Sequence, residues 1–270
     1  MKKTLLTAVA GITAMGLSSV STSVAAQDIS DIYKNRTITL LVGYSAGGTY
    51  GRTSLLLSEH LGKLIPGKPS IVVQHMPGAG GIKAANYFYN VAPKNGLNLL
   101  MPPEMTVVSE LLRPNKVKYK TREFTWLGRV FGQNSTVVVM RSSGITSVED
   151  LKTKQVIVGS SGKGSPTFLI PAALNALLKT KLKIITGYRG SKPLMLAMEQ
   201  GEVQGISLGW TAWISGKPSW FRGGDKSKAI PLVQNGYTPQ KGIENVPMIS
   251  SFLTDKEDKN VAKMLGSAAL

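Results

Sequence analysis

The residues best placed to do chemistry lie in three turns that are rich in glycine and in hydroxyl groups. The turns occupy residues 44–51, 76–81 and 159–165, and each follows a short apolar run. Glycine lets the backbone approach a ligand closely. A helix that starts after such a turn directs its unpaired N–H groups and the positive end of its dipole at the same place, which favours an anion. The pattern therefore predicts a small anionic ligand bound by backbone amides and hydroxyls. The hydroxyl groups predicted to bind it are those of Thr49, Ser160, Ser161 and Ser165.

Other chemistries lack the residues that they require. The 270 residues include no cysteine, which excludes disulfides, cysteine-bound zinc, iron–sulfur clusters and thiol catalysis. With His60 and His75 as the two histidines, a histidine-rich metal site is excluded as well. Residues 162–165 read Gly-Lys-Gly-Ser and lack the spacing of a P-loop. We therefore predict no metal, no cofactor and no catalytic residue. A secreted hydrolase, in which His75 activates a serine, is the alternative from another class.

A helical pattern follows each turn, so the chain repeats a strand–turn–helix unit. These helices are predicted at residues 52–64, 82–91 and 166–179, and a further helix at 192–200. In the first of them Leu57, Leu61 and Leu64 have the spacing of one buried face. In the third, Ser165 is placed as the N-cap and Pro166 as the first helical residue. From about residue 209 the chain is predicted to be rich in loops.

The predicted strands are continuous apolar runs, which is typical of a parallel sheet buried on both faces. They lie at residues 37–43, 70–74, 97–101, 136–140, 155–158, 184–187 and 203–208. Strands that alternate with helices indicate an α/β fold. In such a fold ligands bind beyond the carboxyl ends of the strands, which is where the three turns lie.

The charge and the first 26 residues bear on partners and location. Lys and Arg number 32 against 15 Asp and Glu, and the net charge of +17 favours anionic partners. Lys2 and Lys3, a short apolar run and then Val24-Ala25-Ala26 indicate a cleavable secretory signal, with the cut predicted after Ala26. The run is short for a membrane span, so we predict no stable membrane insertion. An exported protein does not normally meet nucleic acid, and we predict none as a partner. A cationic surface protein that binds acidic polymer or lipid is the second alternative.

Several stretches together resemble one known family. They read GYSAGGTYGR, IPGKPSIVVQHMPGAGGIKAANYFYNVAPKNG, FTWLGRV, VGSSGKGSPTF and GYRGSKPLMLAMEQGEVQG, and they cover most of residues 36–210. The chain is similar to the Bug-type extracytoplasmic solute receptors, which are the substrate-binding components of tripartite tricarboxylate transporters. The Pro-Gly-Ala-Gly-Gly segment at residues 77–81, with the upstream Ile-Pro-Gly, is the most specific part of the resemblance.

The resemblance implies a periplasmic-binding-protein fold of type II, in which two α/β lobes close on a carboxylate-bearing ligand. Lobe one would comprise residues 27–128 and 241–270, and lobe two residues 129–240. The protein would be a periplasmic, monomeric, non-enzymatic receptor that delivers its ligand to membrane transporter subunits. Members of the family typically continue for several dozen residues beyond the position of Leu270, with closing helices of lobe one, so the C-terminus is expected to be short for the family.

The resemblance also implies which residues bind the ligand. The substrate-binding residues that we predict are Tyr44, Ser45, Gly48, Thr49, Pro77, Gly78, Ala79, Gly80, Ser160, Ser161, Gly164, Ser165 and Trp210. The chain departs from the closest subgroup of the family at the first turn. Gly51 and Leu55 stand where that subgroup carries an Asp and an Arg, and His75 replaces a common Asn.

Overall fold

The computed structural model describes residues 29–267, and the signal peptide predicted at residues 1–26 lies outside the described residues. The described chain forms two β-sheets with helices packed on them. The strands are β1 (Thr37–Val42), β2 (Ser70–His75), β3 (Asn98–Met101), β4 (Ser135–Met140), β5 (Val156–Ser160), β6 (Leu182–Thr186), β7 (Gly205–Gly209) and β8 (Ala229–Asn235). The α-helices are α1 (Ile29–Tyr33), α2 (Thr49–Leu64), α3 (Ile82–Asn90), α4 (Thr106–Leu112), α5 (Asp150–Thr153), α6 (Pro166–Leu178), α7 (Ser191–Glu199), α8 (Trp210–Gly216) and α9 (Lys256–Gly266).

The first sheet is parallel, with the strand order β2-β1-β3. Its central strand is β1, on which Ile38, Leu40 and Val42 are buried. In β2 exposed residues alternate with half-buried ones, so one face of this strand is open to solvent. The prediction of burial on both faces was therefore wrong for β2, because an apolar run shows which residues can be buried but not whether anything covers them. We call the elements around this sheet lobe one.

The second sheet has the order β6-β5-β7-β4-β8, and we call the elements around it lobe two. β5, β6 and β7 are parallel, as predicted, but β4 runs antiparallel to both β7 and β8. Every residue of β4 is buried. A strand in the middle of a sheet with both faces covered has the same continuous apolar pattern in either direction. The prediction of a wholly parallel sheet was therefore wrong for β4.

The longest helix, α2, packs through small residues more than through leucines. Gly51, Ser54 and Gly62 are buried, whereas Leu64 is 80% exposed. A Cβ on Gly62 would lie 2.6 Å from the carbonyl oxygen of Pro69, so glycine is what allows the helix to approach the turn before β2. Leu57 and Leu61 are half-buried beside these small residues, so the predicted leucine face was wrong at Leu64.

The helix α6 begins and ends within a residue of its prediction. Ser165 is its N-cap and Pro166 its first residue, as predicted from local sequence. The Ser165 hydroxyl does not cap the helix, however, and donates to the carbonyl of Gly162 at 2.8 Å. Ile170 and Leu174 are fully buried and join the core of lobe two.

The segment after residue 209 is more regular than the sequence indicated. It contains α8 and the strand β8 in place of a long loop. Trp213 on α8 is fully buried, and its indole N–H donates to the carbonyl of Thr136 at 3.3 Å. The three tryptophans of this segment, Trp210, Trp213 and Trp220, therefore belong to the core of lobe two.

The helix α9 lies in the part of the chain that was predicted to return to lobe one. Residues 241–270 were assigned to lobe one, but α9 packs against α6 and β8 of lobe two. Ala262 and Leu265 of α9 lie in the same core as Met105 and Val108. Val108 lies in α4 and Met105 directly precedes it, so the start of α4 also packs against lobe two.

Candidate functional site

A small cavity lies in the cleft where the two lobes meet, and its volume is about 50 Å³. Its walls follow the carboxyl ends of β1, β3, β5 and β7, the place where α/β folds bind ligands. The residues that line it are Tyr44, Gly48, Thr49, Tyr50, Glu104, Gln133, Ser161, Pro166, Thr167, Gly190, Ser191, Leu194, Leu208, Gly209 and Ala212. Small-molecule sites usually measure about 300–1,000 Å³, so a ligand enters only if the walls move apart.

The N-termini of three helices of nine residues or more converge on this cavity, and the shorter α8 also begins at its wall. Gly48 and Thr49 start α2, Pro166 and Thr167 start α6, and Gly190 with Ser191 starts α7. Each helix end contributes a partial positive charge and unpaired N–H groups. The sequence predicted three such ends but named α3 as one of them. The structure has α7 in that place, because the turn before α3 contacts lobe two directly.

Thr167 is the centre of a cluster of hydroxyl groups beside the cavity. Its Oγ1 accepts the backbone N–H of Ser161 at 2.9 Å and lies 3.1 Å from Ser160 Oγ, 3.2 Å from Ser161 Oγ and 2.5 Å from Ser165 Oγ. All four residues are buried. The structure therefore brings together the three serines predicted for the third turn. Ser161 and Thr167 line the cavity itself, while Ser160 and Ser165 lie behind them.

The second glycine-rich turn (residues 76–81) and the third (residues 159–165) are in direct contact across the cleft. The N–H of Gly80 donates to the carbonyl of Ser161 at 3.1 Å, and the Tyr44 hydroxyl donates to the carbonyl of Gly80 at 3.2 Å. A Cβ atom on Gly80 would lie 2.5 Å from the backbone N atom of Ser165. A Cβ atom on Gly162 would likewise lie 2.5 Å from the backbone N atom of Gly80. Both glycines have positive φ, at +70° and +131°. The amide of Gly80 is thus engaged within the protein in this conformation.

Further hydrogen bonds hold the first turn and α2 against lobe two. The N–H groups of Ser45 and Thr49 and the guanidinium of Arg52 are the donors. They join Ser45 N to Arg189 O at 2.9 Å, Thr49 N to Ser191 Oγ at 3.2 Å, and Arg52 Nη2 to Ser215 Oγ at 2.9 Å. These contacts make the structure a closed form of the cleft.

One carboxylate, that of Glu104, is in the wall of the cavity. Glu104 follows β3, and its backbone N–H donates to the Tyr50 hydroxyl at 2.9 Å. The rings of Tyr44 and Tyr50 pack with their centroids 4.7 Å apart. Burial raises the pKa of Glu104 to about 7. Burial first, and then the charge of Glu104, raise the pKa values of both tyrosines, which therefore stay neutral phenols.

Outside the cavity lies a wider cleft of about 470 Å³ that shares Ser191 with it. Arg52, Lys192 and Lys217 line this outer cleft. Lys217 is paired with Glu199 at 2.5 Å, while no ion pair within residues 29–267 involves Arg52 or Lys192. Two positive charges without an ion-pair partner therefore line the outer cleft, whereas none of the described residues that line the inner cavity is cationic.

Several predicted site residues lie away from the cavity. Pro77, Gly78 and Ala79 lie in the turn before α3, and Gly164 packs against Ile82 with its carbonyl accepting from Ser109. The indole of Trp210 is buried in lobe two and packs on Phe221 with centroids 5.0 Å apart. Ser45 contacts lobe two through its backbone without lining the cavity. Of the predicted residues, those that line it are Tyr44, Gly48, Thr49 and Ser161.

Sequence reasoning missed the contributions of β3 and of the turn before α7. Glu104 and Ser191 both follow parallel strands, and Gly190 precedes a helix with the same turn–helix pattern as the three turns that were considered. That repeated pattern was the signal that could have identified Ser191. Nothing local to Glu104 distinguishes it from a surface carboxylate.

The hydrolase alternative gains one motif but no catalytic geometry. A G-x-S-x-G motif was predicted to be absent, which was wrong, because residues 43–47 read Gly-Tyr-Ser-Ala-Gly. His75 Nδ1 lies 2.8 Å from the carbonyl of Tyr44, a contact that requires Nδ1 to donate. Within residues 29–267 no hydrogen bond joins His75 to Ser45 or to any other serine. The base–nucleophile contact on which such chemistry depends is thus missing from the described chain.

Between residues 29 and 267 no helix has the length and apolar character needed to cross a bilayer. The same part of the chain holds no group of three or more His, Asp or Glu side chains arranged to bind a metal ion.

Comparison with known proteins places this fold. No family model matches the chain. A curated relative from Cupriavidus necator, described as "UPF0065 protein in gbd 5'region", is 25% identical over 211 residues. The alignment covers 73% of this chain and 61% of the relative, so the chain spans less than two thirds of that protein.

Solved structures of periplasmic binding proteins share the fold. The periplasmic binding protein BugD is 17% identical, with 88% of this chain and 82% of BugD covered and a TM-score of 0.69. MatC from Rhodopseudomonas palustris, solved with bound malate, is 18% identical, with coverage of 87% and 83% and a TM-score of 0.66. The predicted type II periplasmic-binding-protein fold and the resemblance to Bug-type receptors are confirmed.

Proposed function

We propose that this protein is a periplasmic solute receptor that binds a carboxylate-bearing small molecule and performs no catalysis. In this proposal it delivers the ligand, as a monomer, to the membrane subunits of a tripartite tricarboxylate-type transporter. The observation that carries the proposal is the convergence of α2, α6 and α7, by their N-termini, on one cavity between two lobes. The malate bound to the similarly folded MatC supports the choice of a carboxylate.

The chemistry of the cavity favours recognition by amides and hydroxyls. No Lys, Arg or His is among its lining residues in the described chain. A carboxylate would accept hydrogen bonds from free helix-end amides and from the hydroxyls of Ser161, Thr167 and Ser191. Hydrogen bonds to a charged acceptor are about twice as strong as neutral ones. The carboxylate of the ligand would therefore be bound without a salt bridge.

Binding would require the lobes to separate and close again. The hydrogen bonds from Ser45, Thr49 and Gly80 to lobe two exist in the closed form and would break on opening. A ligand that bridges the lobes would compensate for them and stabilise closure. Arg52 and Lys192 at the outer cleft would attract the anion before closure.

A thermal-shift experiment tests the proposal. Purified protein is heated with mono-, di- and tricarboxylates at two salt concentrations. A ligand at about 100 times its Kd should raise the free energy of unfolding by about 2.7 kcal/mol, which is a Tm shift of several degrees. Ser191→Ala should reduce that shift because Ser191 lines the cavity. Ser58→Ala is the matched control, since the Ser58 hydroxyl donates within α2 on an exposed face.

The two alternatives predict different results in the same experiment. A cationic surface protein would bind acidic polymer or lipid with steep salt dependence and would show no saturable shift with small acids. A hydrolase would turn over an ester substrate, and His75→Ala would abolish that activity. Absence of a shift with every carboxylate would contradict the receptor proposal.

A further inference from the structure

Glu104 places a carboxylate in the cavity wall, which disfavours the binding of a ligand that carries negative charge alone. It is the one charged residue among those that line the cavity, in the part of the chain that the structure describes. The backbone N–H of Glu104 donates to the Tyr50 hydroxyl at 2.9 Å, and the ring centroids of Tyr50 and Tyr44 lie 4.7 Å apart, so Glu104 lines the same wall of the cavity as both tyrosines. A carboxylate in this position repels a second anionic group of a ligand that is enclosed with it.

The Glu104 side chain also lacks a partner of its own. Within residues 29–267 its carboxylate makes no hydrogen bond and no ion pair, and its one hydrogen bond is through the backbone N–H. Glu104 is half-buried, and an unpaired charge that has lost part of its solvation is stabilised by a ligand group of opposite sign. The titratable groups that line the cavity with Glu104 are the hydroxyls of Tyr44 and Tyr50. The polar residues of lobe two that line it are uncharged, and these are Gln133, Ser161, Thr167 and Ser191.

We infer that Glu104 is a specificity-determining residue that selects carboxylates carrying a cationic amino group. This inference rests on the proposed function and names the ligand class within it. The ligand carboxylate would lie at the N-termini of α2, α6 and α7, and its ammonium group would donate to Glu104. The carboxylate of a zwitterion would then interact with the positive ends of the helix dipoles, and its ammonium group with the negative charge of Glu104. A dianion of similar size would place its second carboxylate against Glu104.

The experiment compares acids that differ by one amino group. Calorimetric titrations at pH 8 use alanine with propionate, aspartate with succinate, and glutamate with glutarate. Wild-type protein should bind the amino acid of at least one pair about tenfold more tightly or better, since a charged hydrogen bond is lost in its partner acid. Glu104→Gln should reduce that preference by about tenfold, because the amide carries no negative charge.

Two controls separate this role from a general loss of structure. Glu59→Gln removes a carboxylate from an exposed position on α2, about 15 Å along the helix axis from Thr49. It should keep the wild-type preference. A pH series on the wild-type protein needs no variant at all. The preference for the amino acid should shrink from pH 8 to pH 5 as Glu104 takes up a proton.

Each outcome decides one of the two proposals. If the acids without an amino group bind wild-type protein as tightly as their amino partners at pH 8, the role of Glu104 is refuted while the receptor proposal stands. The same holds if Glu104→Gln leaves the preference unchanged. If no member of any pair binds and no other carboxylate shifts the Tm, the receptor proposal itself fails.

Discussion

Replacing Glu104 by Gln should change how the stability of the protein depends on pH. Burial in the cavity wall raises the pKa of Glu104 from its usual 4.5 to about 7. The native state therefore binds this proton more tightly than the unfolded state does. Linkage then requires the free energy of unfolding to fall as the pH rises from about 4.5 to about 7. The neutral amide of the Glu104→Gln variant cannot ionise, so the variant lacks this contribution.

The size of the effect follows from the shift in the pKa of Glu104. A pKa change of one unit corresponds to about 1.36 kcal/mol in the free energy of unfolding. Between pH 5 and pH 8 the raised pKa of Glu104 should therefore lower the free energy of unfolding of wild type by about 2–3 kcal/mol. The advantage of Glu104→Gln over wild type should grow by that amount across the range. In Tm this is a gain of about 5–10 °C for a chain of this size.

Urea unfolding of wild type, Glu104→Gln and Glu59→Gln at pH 5, 6, 7 and 8 measures this difference. Other titrating groups are common to all three proteins and cancel when the curves are subtracted. Glu59→Gln should follow the wild-type profile because its side chain is exposed. Parallel profiles for Glu104→Gln and wild type, or a variant less stable than wild type at pH 8, would refute the reasoning.

Three further substitutions test the packing that forms the cleft. Gly80→Ala should lower the free energy of unfolding by about 1–3 kcal/mol in urea, because φ is positive and the new Cβ would meet Ser165; an unchanged midpoint would show that the turns do not touch. His75→Ala should cost about 1 kcal/mol in the same assay by removing the hydrogen bond to Tyr44, and esterase assays should find no activity to lose in wild type. Trp213→Ala should cost about 3–5 kcal/mol, as for other buried aromatic side chains; a loss below about 1 kcal/mol in thermal or urea unfolding would contradict the burial of this residue.

Local sequence chemistry explains which elements could be predicted. Ser165 and Pro166 fix the start of α6 through backbone preferences that act within a few residues. The direction of β4 could not be found in this way, because a continuous apolar run records burial on both faces and not orientation. For α2 the apolar period predicted a buried Leu64, which is exposed, whereas the close approach that Gly62 allows is a tertiary contact.

The candidate site was predictable where a turn and its helix form one local unit. Thr49 and Ser161 were found because each belongs to a glycine-rich turn at a strand end. Glu104 was not found, because its place in the cavity wall beside Tyr50 depends on how the segment after β3 packs against α2. The direct contact of Gly80 with lobe two is likewise a tertiary event that no spacing records.

The central claim is that a small carboxylate binds in the cleft where three helices begin. Calorimetric titration of a carboxylate panel into wild type, Ser191→Ala and Ser58→Ala, at low and high salt, tests it most directly. We predict saturable binding with one site for each protein molecule, little loss of affinity in salt, and weaker binding by Ser191→Ala than by Ser58→Ala. Heats that do not saturate, or binding that disappears at high salt and is equal in the two variants, would contradict it.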